Sequence, residues 1–239
     1  MPDGVKELID TEQGLVFVSG PINSGKSTTL SAMVNYLNSH KELRIVTLEK
    51  PIEFIYTNQK SIVQQREVGK DTPSFKEGLE DCLEASLDVV AVSQIESKIE
   101  AEKILELAQQ GYLVLVLAGA NSALDVILKI LSLFDGEEQA RTRIILSQVL
   151  RAIICQKLIV NKQGGYTMLP EILINNDAVR LSIVDNKLNQ INNILNTSVS
   201  QGMISFKQAL EQSVKQGIIT RSKAAEYLEK NEALESISA

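Results

Sequence analysis

The stretch Gly20-Pro21-Ile22-Asn23-Ser24-Gly25-Lys26-Ser27 fits the pattern G-x-x-x-x-G-K-[ST]. Such a loop works only between a buried strand and a helix. Its glycines let backbone N–H groups converge on a phosphate, and the helix adds the positive end of its dipole. Both flanks are present, an apolar run at Leu15–Ser19 and a helical pattern over Thr28–Ser39. At average residue frequencies a chance match in a chain this long is about 1%. The expected ligand is ATP with Mg²⁺. Lys26 should reach the β- and γ-phosphates, and Ser27 should ligate the metal. Gly20, Asn23, Ser24, Gly25, Lys26, Ser27 and Thr28 are the expected nucleotide-binding residues.

Beyond the loop, apolar strands alternate with helices. Arg44–Leu48, Asp88–Ser93 and Tyr112–Leu117 read as strands, and Ser61–Arg66 as a weaker one. Helices are expected at Ser74–Leu87, with Ser74 as N-cap, and at Lys98–Gln110, closed by Gly111. The second places Ile99, Ile104, Leu105 and Ala108 on roughly one face. Continuous apolar strands between helices predict a parallel sheet covered on both sides. The second half differs. Ala123–Phe134 and Glu138–Ile154 read as helices, and Leu158–Val160 and Tyr166–Ile174 flank a Gly164-Gly165 hairpin turn. Residues 1–174 thus form an α/β nucleotide-binding core. Residues 175–239 form a helical C-terminal subdomain whose last few residues should fray.

Composition narrows the function classes. The chain of 239 residues carries a net charge of -6 with no cluster of Lys and Arg, so nucleic acid is not an expected partner. Its two cysteines, Cys82 and Cys155, lie in apolar stretches without metal-ligand spacing and read as small buried hydrophobes. The single histidine, His40, reads as a surface residue at a helix end. No run approaches the roughly 20 apolar residues of a membrane span. The N-terminus lacks a signal-peptide pattern, and a cytoplasmic location is expected.

Hydrolysis needs an acid at a strand end to hold Mg²⁺ and a base to orient water. The strand Arg44–Leu48 ends at Glu49-Lys50, whereas Asp88–Val92 ends at Ser93-Gln94, with no acid before Glu96. Glu49 is therefore the candidate catalytic and metal-serving carboxylate. Asp88 lies at the wrong end of its strand.

Several blocks together resemble the type IV pilus retraction ATPases of the type II/IV secretion ATPase superfamily. They are the run from Gly14 to Leu30, Glu49-Lys50-Pro51-Ile52-Glu53-Phe54, the run from Gln65 to Thr72, Ala178-Val179-Arg180-Leu181-Ser182-Ile183, and Gly202-Met203. The resemblance spans nearly the whole chain. It implies a RecA-like P-loop fold, a role in twitching motility or secretion, and partners among other ATPase subunits or the pilus machine platform. In that family the subunits form hexameric rings.

The departures are as informative. Lys50 stands where the family's Asp box has aspartate, and Ser93-Gln94 where its Walker B strand, expected beside the P-loop strand, ends in Gly-Glu. Tyr112 and Gly119 replace the two histidines of its His box. The family's N-terminal domain of about 100 residues has no counterpart, which predicts a monomer or weak self-association. Losing an aligned base or arginine finger costs on the order of 10²–10⁵ in rate. The resemblance with these departures implies an ATP- and Mg²⁺-binding domain with weak or lost hydrolysis. The alternatives are an active ATPase using Glu49, and a structural subunit that keeps the loop as a folding element.

Overall fold

Leu15, Val16, Phe17 and Val18 are at most 1% exposed, and Leu113 to Val116 are equally buried. A strand buried on both faces must lie inside a sheet with helices on either side. The computed structural model describes residues 3–228 and has that architecture. Its strands are β1 (Gly14–Ser19), β2 (Arg44–Glu49), β3 (Ile62–Glu67), β4 (Val89–Val92), β5 (Leu113–Ala118), β6 (Leu150–Val160) and β7 (Tyr166–Ile174). Its helices are α1 (Asp3–Ile9), α2 (Lys26–His40), α3 (Phe75–Glu84), α4 (Lys98–Gln109), α5 (Ala123–Leu131), α6 (Gly136–Val149), α7 (Asp177–Val184), α8 (Ile191–Thr197) and α9 (Phe206–Lys215), and residues 221–228 are also helical.

The seven strands run in the order β3-β2-β4-β5-β1-β6-β7. All neighbours are parallel except β6 and β7, which form an antiparallel hairpin with Val160 opposite Tyr166. One face packs Phe17, Val92 and Val116 against α3 to α8, and the other packs Val16, Val18 and Leu115 against α1 and α2. The two faces alternate along each strand, as period-two geometry requires.

Local chemistry accounts for most helix boundaries. The Ser74 hydroxyl accepts the Glu77 N–H and caps α3. Ser97 and Glu100 close a capping box at the start of α4, and Gly111 follows its end with φ +98°. Both cysteines are buried and free. His40 is exposed and stacks on Tyr36, with ring centroids 4.3 Å apart.

Three expectations are overturned. The helix expected over Glu138–Ile154 stops at Val149, and Leu150 opens β6 beside β1. An apolar run buried on both sides has the same composition in either state, and pairing with β1 decides it. Ile99 is 45% exposed, while Ile104, Leu105 and Ala108 are buried. Ile99 lies about 140° around the helix from Ile104, on the outer face, whereas Ala101 on the same turn is fully buried. Finally, β4 is not beside the P-loop strand, because β5 lies between β4 and β1.

Helix α1 has no counterpart in the sequence expectations; it buries Val5 and Ile9 on the α2 face. Beyond Ile174, Val179, Ile183, Ile191 and Leu195 join the same core as Phe17. Ala209, Leu210 and Ile219 pack separately on Ile159 and Leu169 of the β6–β7 hairpin. Residues 229–239, where fraying is expected, lie outside the described residues.

Candidate nucleotide-binding site

The loop between β1 and α2 is held in a shape that only particular residues allow. Gly20 has φ +148°, and a Cβ there would stand 2.2 Å from the Gln156 carbonyl oxygen and 2.5 Å from Ser24 Oγ. Gly25, with φ +85°, opens α2 without any side-chain cap. The first intrahelical bond runs from the Thr29 N–H to the Gly25 carbonyl at 3.0 Å. The N–H groups of Lys26, Ser27 and Thr28 precede it and face out of the helix end, where an anion would accept them. Asn23 takes a left-handed turn with φ +62°. Ser24 Oγ is buried without a protein partner. A buried orphan hydroxyl inside an anion-binding loop suits a phosphate oxygen.

Two contacts set the resting state of the loop. Lys26 Nζ donates to the Pro21 carbonyl oxygen at 2.7 Å, and burial holds its ammonium below the ordinary lysine range. From β6, Gln156 Nε2 donates to the Ser24 carbonyl oxygen at 2.7 Å, and Gln156 Oε1 accepts from Thr29 Oγ1 at 2.8 Å. Gln156 is not among the residues expected at the site from the sequence. Its signal is a lone buried amide in an apolar run.

The loop opens onto a cleft between α2 and the carboxyl ends of β2 and β4. Ser27, Ser31, Glu49, Lys50, Glu53 and Ser93 line it. Ser27 and Ser31 are one turn apart on the same face of α2. The structure therefore brings Glu49 to the same cleft as Ser27. Glu49 is 9% exposed, and its Oε1 accepts from Thr47 Oγ1 at 2.6 Å and Gln65 Nε2 at 3.2 Å. Tyr56, also on the cleft wall, hydrogen-bonds Ser31, and burial with the nearby Glu49 charge pushes its phenol upward. Glu53, Ser31 and Tyr56 are further cleft residues that the sequence analysis did not single out. The spacing of Ser27 and Ser31 was their legible trace.

The altered family positions do not all lie here. Leu48 is in register with Val92, so Lys50 and Gln94 stand two residues beyond a matched pair on adjacent strands. The Lys50 N–H donates to Ser93 Oγ at 3.2 Å. Gln94 is half-buried and does not line the cleft. Gly119 follows the carboxyl end of β5, on the P-loop edge of the sheet. Tyr112 precedes the same strand, on the opposite edge, where its hydroxyl donates to the Ala85 carbonyl oxygen at 2.8 Å. A strand of this length spans roughly 20 Å. Tyr112 is therefore no part of the phosphate site, contrary to its grouping with Gly119 as one altered element. Asp88 also sits at that far edge and accepts the Arg44 N–H at 2.7 Å, as its strand position predicted.

A P-loop on a central parallel strand, flanked by a cleft at the carboxyl ends of its neighbours, defines a nucleotide-binding α/β protein. Residues 2–231 match the family model described as "Type II/IV secretion system protein", and the chain belongs to that family. It is 37% identical over 213 residues to the uncharacterized protein YggR of Escherichia coli, covering 89% of this chain and 65% of that protein. It is 37% identical over 226 residues to the type IV pilus retraction ATPase PilT of Pseudomonas aeruginosa, covering 95% and 66%. A crystal structure of the pilus retraction motor PilT with bound ADP superposes with a TM-score of 0.87 at 40% identity, covering 95% of this chain and 64% of that one. The chain thus spans about two thirds of the length of these relatives. The match establishes the RecA-like mixed α/β fold. Among the described residues no helix is long and apolar enough to cross a membrane.

Proposed function

We propose that this chain is an ATP-binding subunit of a pilus-retraction or secretion machine, acting on the cytoplasmic side and hydrolysing ATP slowly or not at all. The observation that carries the reading is the pairing of a complete phosphate loop with a cleft in which Lys50 and Ser93 follow the strand ends and the buried acid, Glu49, is already hydrogen-bonded by Thr47 and Gln65.

Binding is assigned to Gly20, Asn23, Ser24, Gly25, Lys26, Ser27 and Thr28. Their N–H groups and the Ser24 hydroxyl would donate to the phosphate chain, and Lys26 would leave the Pro21 carbonyl for phosphate oxygen. Mg²⁺ fits the donors present: the Ser27 hydroxyl and the free oxygen of Glu49 line one cleft and would hold it directly or through water. When bound, it would supply charge neutralisation on the phosphate chain. Glu49 contributes an acceptor and Lys50 an opposing cation. Turnover is slow because glutamine at position 94 cannot take a proton from water, and Glu49 already accepts two hydrogen bonds on one oxygen.

The second reading, an active ATPase, is favoured by Glu49 sharing the cleft with Ser27. Calorimetry beside phosphate release on one sample separates the two. ATP should bind, and Lys26→Ala should weaken it by at least about tenfold through lost charge-assisted contacts. Phosphate release should barely exceed that of the Lys26→Ala protein. No heat at millimolar ATP removes the binding claim. Robust turnover abolished by Lys26→Ala establishes Glu49 as the working acid instead.

A further inference from the structure

Lys50 presents a cation where a P-loop cleft ordinarily gathers negative charge around a metal. Its backbone is anchored, since its N–H donates to Ser93 Oγ at the end of β4. Its side chain is exposed and, among the described residues, forms no ion pair or hydrogen bond. It lines the same cleft as Ser27, the residue at the metal end of the loop. The two acids of this cleft differ in availability. Glu49 is buried and engaged by Thr47 and Gln65, whereas Glu53 is exposed. Lys50 thus shares the cleft with Ser27, the residue that follows Lys26 of the loop.

A triphosphate without metal carries about two more negative charges than its Mg²⁺ complex. A tethered ammonium facing the phosphate chain offsets part of that excess, as a divalent ion otherwise does. The same ammonium repels an incoming divalent cation. Both effects favour the metal-free form of the ligand.

We infer that Lys50 stands in for divalent charge at the phosphate end of the cleft, so that this chain takes metal-free nucleoside triphosphate nearly as well as the Mg²⁺ complex. This rests on the nucleotide-binding reading and specifies the ligand form at that site. It also accounts for nucleotide affinity in a cleft where the buried acid, Glu49, is already engaged by Thr47 and Gln65.

Calorimetric titration with ATP, in excess Mg²⁺ and separately in EDTA, tests it on the unmodified chain, Lys50→Asp, Lys50→Gln and Lys26→Ala. The unmodified chain should show dissociation constants within about threefold of each other in the two buffers. Lys50→Asp should bind about tenfold or more weakly in EDTA and recover when Mg²⁺ is added. Lys50→Gln, which removes the charge without introducing an opposite one, should fall between them. Because Lys50 is exposed, circular dichroism and melting temperature should be unchanged in both variants. Lys26→Ala should lose affinity in both buffers. Binding by the unmodified chain that collapses in EDTA overturns the role of Lys50 and leaves nucleotide binding standing. So does Lys50→Asp binding that is as tight in EDTA as the unmodified chain. No binding in either buffer overturns the nucleotide-binding reading itself.

Discussion

Gln156 and Glu171 show how single polar side chains organise this molecule from the same hairpin. Gln156 ties the phosphate loop to β6 through Ser24 and the first turn of α2 through Thr29. On β7, Glu171 lies opposite Cys155, and its Oε1 accepts the Ala123 N–H at 2.8 Å, at the start of α5. It also accepts the Phe206 N–H at the start of α9. Burial raises its pKa above the ordinary 4.5, against these two bonds and the Lys157 charge. The native state therefore keeps a proton that the unfolded chain releases at lower pH. Stability from this site is fully present below the ordinary glutamate pKa and declines as pH climbs through the raised one. Glu171→Gln retains an acceptor and removes the titration. The melting temperature of the variant relative to the unmodified chain should thus be more favourable near pH 8 than near pH 4. A difference that stays constant across that range would show that Glu171 carries no such linkage.

Among the elements, the ends of β2 and β4 matter most for chemistry. Their register sets Lys50 beside Gln94. On the proposed reading, substitutions at these neighbouring strand ends, Lys50 lining the cleft and Gln94 next to the cleft residue Ser93, should couple. Gln94→Glu restores a group worth up to roughly 10²–10⁴ in rate when its surroundings are intact. With Lys50 in place the single variant should gain little. Gln94→Glu with Lys50→Asp should exceed the product of the two single gains, measured as phosphate release at saturating ATP against the Lys26→Ala protein. Strict multiplicativity would mean that the two positions act on separate events. Tyr112 carries no weight here, since it faces the opposite edge of the sheet, tied to Ala85.

At the scale of the whole molecule, the sheet divides the core into two faces, and the chain beyond β7 contributes to one of them. Leu195 of α8 is 3% exposed and belongs to the cluster that contains Phe17 of the P-loop strand. Shared burial makes the unfolding of α8 and β1 cooperative. Leu195→Ala should cost about 2–5 kcal/mol, read by chemical denaturation. Hydrogen exchange should then speed up in Gly14–Ser19 as well as in Ile191–Thr197. Acceleration confined to α8 would mark the C-terminal helices as an independently unfolding unit.

The sequence by itself determined the shape of the loop between β1 and α2, because Gly20 and Gly25 act through local backbone geometry. It also determined the buried strands and the caps at Ser74 and Gly111, which depend on residues a few positions apart. It marked Glu49 as a strand-end acid. Only the tertiary structure decided what long-range pairing controls. Leu150–Ile154 became a strand because β1 offered it hydrogen bonds, which no local periodicity records. Insertion of β5 between β1 and β4 separated Gln94 from the P-loop strand and left β4 beside β2 instead. Gln156, 132 residues from Ser24 in the chain, reached the loop through sheet order alone.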